Sequence, residues 1–165
     1  MYLVSVMLSG NSQLYELLSS KLGAELNALR IAAAAAHDAA THTENKPENK
    51  YDPPRGLEAS YLAGAQEARA SQLQAALDLV TAMIPRCFQS HDVVGLTALV
   101  KLSTEHTTCW YFLIQVAGGY TLQSSDEQVH GSIITLTPQT PLGRALVGKR
   151  IGDEIMVRTD KVAKE

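Results

Sequence analysis

The sequence predicts an α+β protein in two modules, a pair of long helices followed by a small domain of strands with a short helix. Apolar residues in the first half recur every three or four positions, whereas those in the second half alternate. A polar, proline-containing connection at 43–56 separates the two helical stretches. We therefore expect a leader strand or tail at 1–10, a helical hairpin at 11–85, a linker at 86–94 and an α+β domain at 95–165.

The first helix is predicted over residues 11–42. Its apolar face consists of leucines and then alanines at steps of three and four: Leu14, Leu18, Leu22, Leu26, Leu29, Ala33, Ala36 and Ala40. A second helix is predicted over 57–84, where Pro85 ends it. Alanine gives a narrow face on which another helix can pack closely. The two helices therefore predict an antiparallel coiled-coil hairpin whose tip is the connection at 43–56.

The second half is predicted to contain four short strands. They fall at 96–102, 109–116, 120–123 and 133–136. The pair Gly118-Gly119 is typical of a hairpin turn between two of them. Within the second strand, Trp110 and Phe112 are expected to share one face and Tyr111 to occupy the other.

Composition excludes several classes of protein. The formal net charge of −3 argues against a nonspecific nucleic-acid binder driven by counterion release. The cysteines, Cys87 and Cys109, are too few for a secreted disulfide scaffold, so we expect small buried side chains in a reducing cytoplasm. No apolar run approaches the roughly 20 residues that span a bilayer, so no membrane partner is predicted. The apolar start lacks the pattern of a signal peptide, and Met7 is as consistent with a natural start as Met1.

Residues 137–155 carry the strongest local signals of the chain. Thr140 can cap a short helix whose first residue is Pro141, and Gly148 can end that helix in a left-handed conformation. Gly152 and Asp153 then favour a turn before strand-like alternation resumes. The segment is predicted to form a strand, a short helix, a turn and another strand.

The amino-acid sequence of this segment resembles the C-terminal signature of the Gre-type bacterial transcription elongation factors. That signature is Ser-Pro-Leu-Gly-x-Ala-Leu-x-Gly-Lys-x-x-Gly-Asp. Thr140 stands in place of the serine, and the other positions match in register: Pro141, Leu142, Gly143, Ala145, Leu146, Gly148, Lys149, Gly152 and Asp153. That family joins an N-terminal antiparallel coiled coil to a C-terminal domain of FKBP-like fold. The resemblance therefore implies an FKBP-like fold for residues 95–165.

The resemblance also implies a partner, RNA polymerase, with the globular domain at the rim of the secondary channel and the coiled-coil tip toward the active site. The polymerase-binding residues that it implies are Pro138, Thr140, Pro141, Leu142, Gly143 and Lys149. Such a factor is not itself an enzyme and binds neither a cofactor nor a specific nucleic-acid sequence. Tip carboxylates of cleavage-competent members help to hold a second Mg²⁺ in the polymerase active site, where hard oxygen ligands suit that ion.

The tip of this chain departs from the family pattern. Asp52 matches the first acid, which is equally consistent with a plain turn residue before Pro53, and Arg55 stands at the second position. A guanidinium is a fixed positive charge that cannot bind a cation as a ligand. The candidate cleavage residues are thus Asp52 with Glu48 and Glu44, which could substitute if the loop folds back. The family also continues beyond the position of Glu165 into a last strand, and the segment 3–7 is one candidate to cover the exposed edge.

Two other functions stay open at this point. An FKBP-like fold is shared with peptidyl-prolyl isomerases, whose pockets need several convergent aromatic side chains, and fold alone does not carry function. A third hypothesis is that the protein is a coiled-coil adaptor that does not contact the polymerase. Whether a polymerase-binding factor would stimulate cleavage, inhibit or compete at the channel is not determined by these residues, nor is the oligomeric state.

Overall fold

The computed structural model describes residues 2–6, 12–41, 55–104, 107–124, 129 and 131–156. The predicted α+β class is confirmed. The helices are α1 (Ser12–Thr41), α2 (Arg55–Ala82) and α3 (Pro141–Leu146). The strands are β1 (Tyr2–Val6), β2 (Leu99–Ser103), β3 (Thr108–Leu113), β4 (Thr121–Gln123), β5 (Ser132–Leu136) and β6 (Glu154–Ile155). The chain divides into two compact units, Ser19–Ala82 and the remainder, which joins Met1–Leu18 to Met83–Glu165.

The long helices lie close to their predicted bounds. α1 begins and ends within one residue of the expected 11–42, and α2 is shifted two residues toward the N-terminus. The proline ring at Pro85 disfavours helical backbone in the residue before it. Accordingly Ile84 lies outside α2 and is 86% exposed. None of the helices in the described ranges is long and apolar enough to span a bilayer.

Within the unit Ser19–Ala82, α1 and α2 pack through small and aliphatic side chains. The buried residues are Leu22, Leu26 and Ala36 of α1 with Ala63, Ala70 and Val80 of α2. At the margins, Arg30 Nη2 donates to Gln74 Oε1 at 3.0 Å, and Arg69 Nη2 lies 3.0 Å from Glu25 Oε1. The Arg69 side chain is exposed and that of Glu25 is half-buried, so solvent screens their ion pair, which contributes less than about 1 kcal/mol. Packing of the apolar faces therefore supplies most of the stability of this unit. The coiled-coil geometry stays a prediction.

The six strands form one mixed sheet in the order β4-β5-β3-β2-β1-β6. β3 and β5 are parallel, and the other neighbouring pairs are antiparallel. Gly118 and Gly119 do form a turn, but the predicted hairpin is wrong because β4 pairs with β5 instead of β3. The Thr135 hydroxyl donates to the Ala117 carbonyl at 2.6 Å, and Gly119 N donates to the Thr135 carbonyl at 2.7 Å. These bonds fix the turn onto β5. The FKBP-like assignment stays a prediction.

The unit that joins Met1–Leu18 to Met83–Glu165 contains the sheet, and we call it the sheet unit. Its core consists of buried side chains on both faces of β2 and β3. Trp110 and Phe112 are buried while Tyr111 is half-buried, so the predicted alternation of β3 is confirmed. The segment predicted as a linker also contributes to the core, because Phe88 and Val94 are 2% and 1% exposed. The prediction for Cys87 is wrong, since its side chain is exposed, and Cys109 is half-buried. Cys87 precedes the buried Phe88 in a segment without regular secondary structure.

The first turns of α1 belong to the same unit as the sheet. The Tyr15 ring meets the Phe112 ring edge to face, with centroids 5.3 Å apart at 83°. Burial raises the pKa of the Tyr15 hydroxyl above its ordinary value, and the nearby Thr97 side chain opposes part of that rise. Thr97 has a φ of 74°, which is strained for a β-branched residue. Its amide donates to the Leu113 carbonyl at 2.7 Å, and this bond helps to hold the strained backbone.

The apolar segment at the start of the chain contains a strand, as one of the two sequence-based alternatives predicted. β1 lies between β2 and β6 and pairs antiparallel with both. Val4 in its centre is fully buried. The Val4 amide donates to the Asp153 carbonyl at 3.0 Å, and the Gly152 amide donates to the Val4 carbonyl at 2.9 Å. β1 is thus hydrogen-bonded to the turn near the end of residues 137–155, which we call the Gre-like segment.

Candidate functional site

The Gre-like segment begins with a capped helix, as its sequence predicts. Thr140 is the N-cap of α3, and its Oγ1 accepts a hydrogen bond from the Gly143 amide at 3.0 Å. The same hydroxyl donates to the Thr137 carbonyl at 2.9 Å. Pro141 occupies the first helical turn, where its missing N–H leaves no bond unmade. One hydroxyl therefore links the end of the β5 segment to the first turn of α3.

Gly143 lies where no side chain fits. It is buried, and a Cβ built on it would overlap the backbone carbonyl oxygen of Thr137. On the outer face, Arg144 donates from Nε and Nη2 to the Gln139 carbonyl at 3.0 and 2.8 Å. The glycine allows α3 to approach the chain at Thr137, and the arginine holds the intervening loop against the helix.

A tight turn follows α3. Gly148 has a φ of +82°, as expected for a residue that ends a helix in the left-handed region. The Arg150 amide donates to Asp153 Oδ2 at 2.8 Å, and the Asp153 amide donates to the Arg150 carbonyl at 3.1 Å. Gly152, with a φ of +90°, completes this turn and is bonded to β1. The backbone from 150 to 153 is consequently fixed at both ends.

The six residues implied to bind polymerase differ in exposure. Pro141 is exposed, whereas Pro138, Thr140, Leu142 and Lys149 are half-buried and Gly143 is buried. Leu142 packs against the core cluster of the sheet unit. A large part of the signature therefore has a structural explanation, because its cap, its close approach and its apolar contact build α3.

Sequence reasoning missed two accessible aliphatic side chains in this segment, Val147 and Ile151, which are 47% and 40% exposed. The basic residues Arg144 and Arg150 are exposed as well. All four occupy the variable positions of the family pattern. The aliphatic types carried no signal of exposure, since at helical or strand spacing they are more often core than surface.

The cap should be measurable in a stability experiment. We expect Thr140→Ala to lower the free energy of unfolding by about 1 kcal/mol, because the Gly143 amide loses its acceptor. Thr140→Ser is the matched control, since serine keeps the hydroxyl and is the family residue. Urea unfolding monitored by Trp110 fluorescence reports the sheet unit. Equal midpoints for the alanine and serine variants would contradict the capping role.

The predicted cleavage residues Glu44, Glu48 and Asp52 lie outside the described residues. The structure does place Arg55 as the first residue of α2, with Glu58 in the same first turn of backbone.

Three of the five aromatic residues of the second half that could line an isomerase pocket are in the core, and the other two, Tyr111 and Tyr120, are half-buried. Phe88, Trp110 and Phe112 are 2%, 6% and 0% exposed. Lys101 Nζ lies 5.7 Å from the centroid of the Trp110 ring, a cation–π contact that covers one side of the indole. These three rings stabilise the sheet unit and do not line an open cleft.

The chain is similar to transcription elongation factor GreA of Chlorobium phaeovibrioides (strain DSM 265 / 1930), with 25% identity over 126 residues. The match covers 75% of this chain and 70% of that protein. The chain resembles a Gre factor distantly. No protein-family model matches it. An aligned stretch of 126 residues is far longer than the Gre-like segment and therefore includes part of the helical half.

Proposed function

We propose that this protein is a transcription elongation regulator that binds RNA polymerase. The observation that carries the proposal is the GreA similarity over three quarters of the chain. The preserved local structure of residues 137–155 supports it, because cap, glycine approach and turn all form as the family pattern requires. In this proposal the sheet unit is an FKBP-like domain that docks at the rim of the secondary channel of the polymerase.

The helical unit then acts as a coiled-coil arm whose tip points toward the polymerase active site. α2 alone has 28 residues, which corresponds to roughly 42 Å at 1.5 Å per residue. Half of the buried residues between the helices are alanine, namely Ala36, Ala63 and Ala70, and these small side chains keep the pair slender. A slender helical arm is suited to entering a channel that would exclude a globular domain.

In the docking domain, the six signature residues divide into two roles. The exposed Pro141 and the charged, half-buried Lys149 contact the polymerase, whereas Thr140 and Gly143 hold α3 in place. Leu142 and Pro138, both half-buried, contribute to each role. Substitutions of Pro141 should weaken binding without lowering stability.

Binding to core RNA polymerase is the primary test. Purified protein at micromolar concentration and low salt should co-elute with core enzyme in size-exclusion chromatography. The measurement uses the intact chain, so neither unit has to be purified on its own. Failure of the intact, folded protein to associate with core enzyme under these conditions would remove the proposed function.

Transcript cleavage depends on the tip. We expect weak cleavage of backtracked RNA by wild type, because Arg55 replaces the second carboxylate of the family tip. Arg55→Glu should raise the cleavage rate by about tenfold, since a second oxygen ligand helps to hold the catalytic Mg²⁺. The measurement is the rate of RNA shortening in stalled elongation complexes, with Arg55→Gln as the matched neutral variant.

The same assay locates the first ligand. Asp52→Ala should abolish the activity gained by Arg55→Glu, and Glu48→Ala or Glu44→Ala should reduce it only if the loop folds back. An Arg55→Glu variant that binds polymerase and leaves RNA lengths unchanged would show that the tip does not act by cleavage.

A further inference from the structure

Three aliphatic side chains are exposed on neighbouring stretches of the sheet unit. Val93, Val147 and Ile151 are 38%, 47% and 40% exposed. The Val94 amide donates to the Lys149 carbonyl at 2.7 Å, and the Gly148 amide donates to the Val94 carbonyl at 2.9 Å. These backbone bonds bring the stretch around Val93 against the stretch that carries Val147 and Ile151. We call these three residues the aliphatic patch.

The fold does not require aliphatic residues at these positions. Val147 is the C-cap of α3, and Ile151 lies in the tight turn closed by Arg150 and Asp153, where polar residues and glycine are typical. The buried neighbours Val94 and Leu146 already supply the local core contacts. Single exposed apolar side chains are common, but a group on adjoining rigid stretches is typical of a binding surface.

Positive charge borders the patch. Arg144 and Arg150 are exposed and flank Val147 and Ile151 in the chain. Two acids lie close to the patch along the chain, and both are half-buried. Asp92, beside Val93, has Oδ1 3.7 Å from Arg86 Nη2, and Asp153 uses Oδ2 to accept from the Arg150 amide. Glu154 is exposed on β6 and offsets part of this charge. Apolar contacts with flanking arginines are a composition enriched in protein interfaces, where arginine also pairs with carboxylates.

We infer that the aliphatic patch, with Arg144 and Arg150, is the surface that contacts RNA polymerase, and that it binds a polymerase segment combining apolar side chains with carboxylates. This inference rests on the proposed function. It extends the signature-based assignment, because these contact residues occupy the variable positions of the family pattern, while Thr140 and Gly143 hold α3 in place beneath them. The partner's specificity is then set by residues that vary among such proteins.

Affinity measurement with intact protein and core RNA polymerase tests the inference. Ile151→Glu and Val147→Glu should each weaken binding roughly tenfold or more, because each places a carboxylate in an apolar contact that faces acidic groups. Arg150→Glu should weaken binding as well and reduce its dependence on salt, since a charge pair is lost. Biolayer interferometry at several salt concentrations gives both readouts.

A matched control is available in the same unit. Ile84 is 86% exposed and lies outside the patch, so Ile84→Glu should bind as wild type does. Thermal unfolding of each variant identifies any loss of fold. Wild type that does not bind core enzyme would remove the proposed function itself. Wild type that binds, together with Ile151→Glu and Val147→Glu variants that are folded and bind equally well, would overturn the patch while leaving the proposed function in place.

Discussion

Replacing Gly143 with alanine should lower the free energy of unfolding of the sheet unit by more than about 3 kcal/mol. The new Cβ would overlap the Thr137 carbonyl oxygen and come within 2.9 Å of both the Thr137 carbonyl carbon and Thr140 Oγ1. Two of these atoms belong to the backbone, so rotation of a side chain cannot relieve the overlap. α3 would have to move away from the chain at Thr137, which breaks the cap on the Gly143 amide.

Gly95 offers a matched comparison for this substitution. It lies in the same unit, and a Cβ built on it meets no atom within 4 Å. Gly95→Ala should therefore change the free energy of unfolding by less than about 1 kcal/mol. Urea unfolding of the two alanine variants and wild type, followed by far-ultraviolet circular dichroism, measures the difference. A Gly143→Ala protein as stable as the Gly95→Ala protein would show that α3 relaxes without loss.

This expectation bears on how the Gre-like signature is interpreted. A Gly143 variant that fails to bind polymerase would be uninformative about contacts, because the helix that carries Pro141 would be displaced. Pro141, which is exposed, separates the two roles. The position of a signature residue in the fold thus decides which substitutions can report on binding.

Local elements of this protein could be predicted from the sequence because short-range rules specify them. The two long helices follow from the recurrence of leucine and alanine, and the capped α3 follows from Thr140, Pro141 and Gly148. The alternation of Trp110, Tyr111 and Phe112 is likewise a property of a single strand. In each case, the residues that determine the element lie within a few positions of it.

Strand pairing could not be predicted in the same way. The Gly118-Gly119 turn was recognisable, but β5 pairs with both β4 and β3, so the turn connects strands that are not neighbours. Pairing depends on contacts between distant segments, and a turn sequence carries no information about a strand that pairs from elsewhere. The burial of Phe88 and Val94 in a segment without regular secondary structure has the same origin.

The candidate site shows both situations. The cap, the turn and the helix end were predicted, whereas the exposure of Val147 and Ile151 was not. Sequence reasoning assigns aliphatic residues to the core by default. The exposure of Val147 and Ile151 follows only from how their stretch of chain is bonded to β1 and to Val94 in the folded protein. The resemblance to Gre factors identified the segment without identifying its accessible surface.

The second large effect is expected at Val4, in the strand that was least specified by sequence. Val4→Asp should destabilise the sheet unit by more than about 4 kcal/mol, because an unpaired carboxylate would be buried at a fully buried position. Val4→Ala is the matched control, since it removes volume without adding charge and should cost about 2 kcal/mol. Urea unfolding monitored by Trp110 fluorescence measures both.

Val4 also affects the Gre-like segment, because its strand is hydrogen-bonded to the turn in that segment. The Val4 amide and carbonyl bond to Asp153 and Gly152, so release of β1 should free the turn that presents Ile151. Hydrogen exchange should then accelerate at the Gly152 amide in Val4→Asp, while amides in the middle of α2, in the other unit, stay protected. Unchanged protection at Gly152 would contradict the link between β1 and the turn. Accelerated exchange there with weakened polymerase binding would show that this strand supports the docking surface from beneath, although it contributes no residue to the signature.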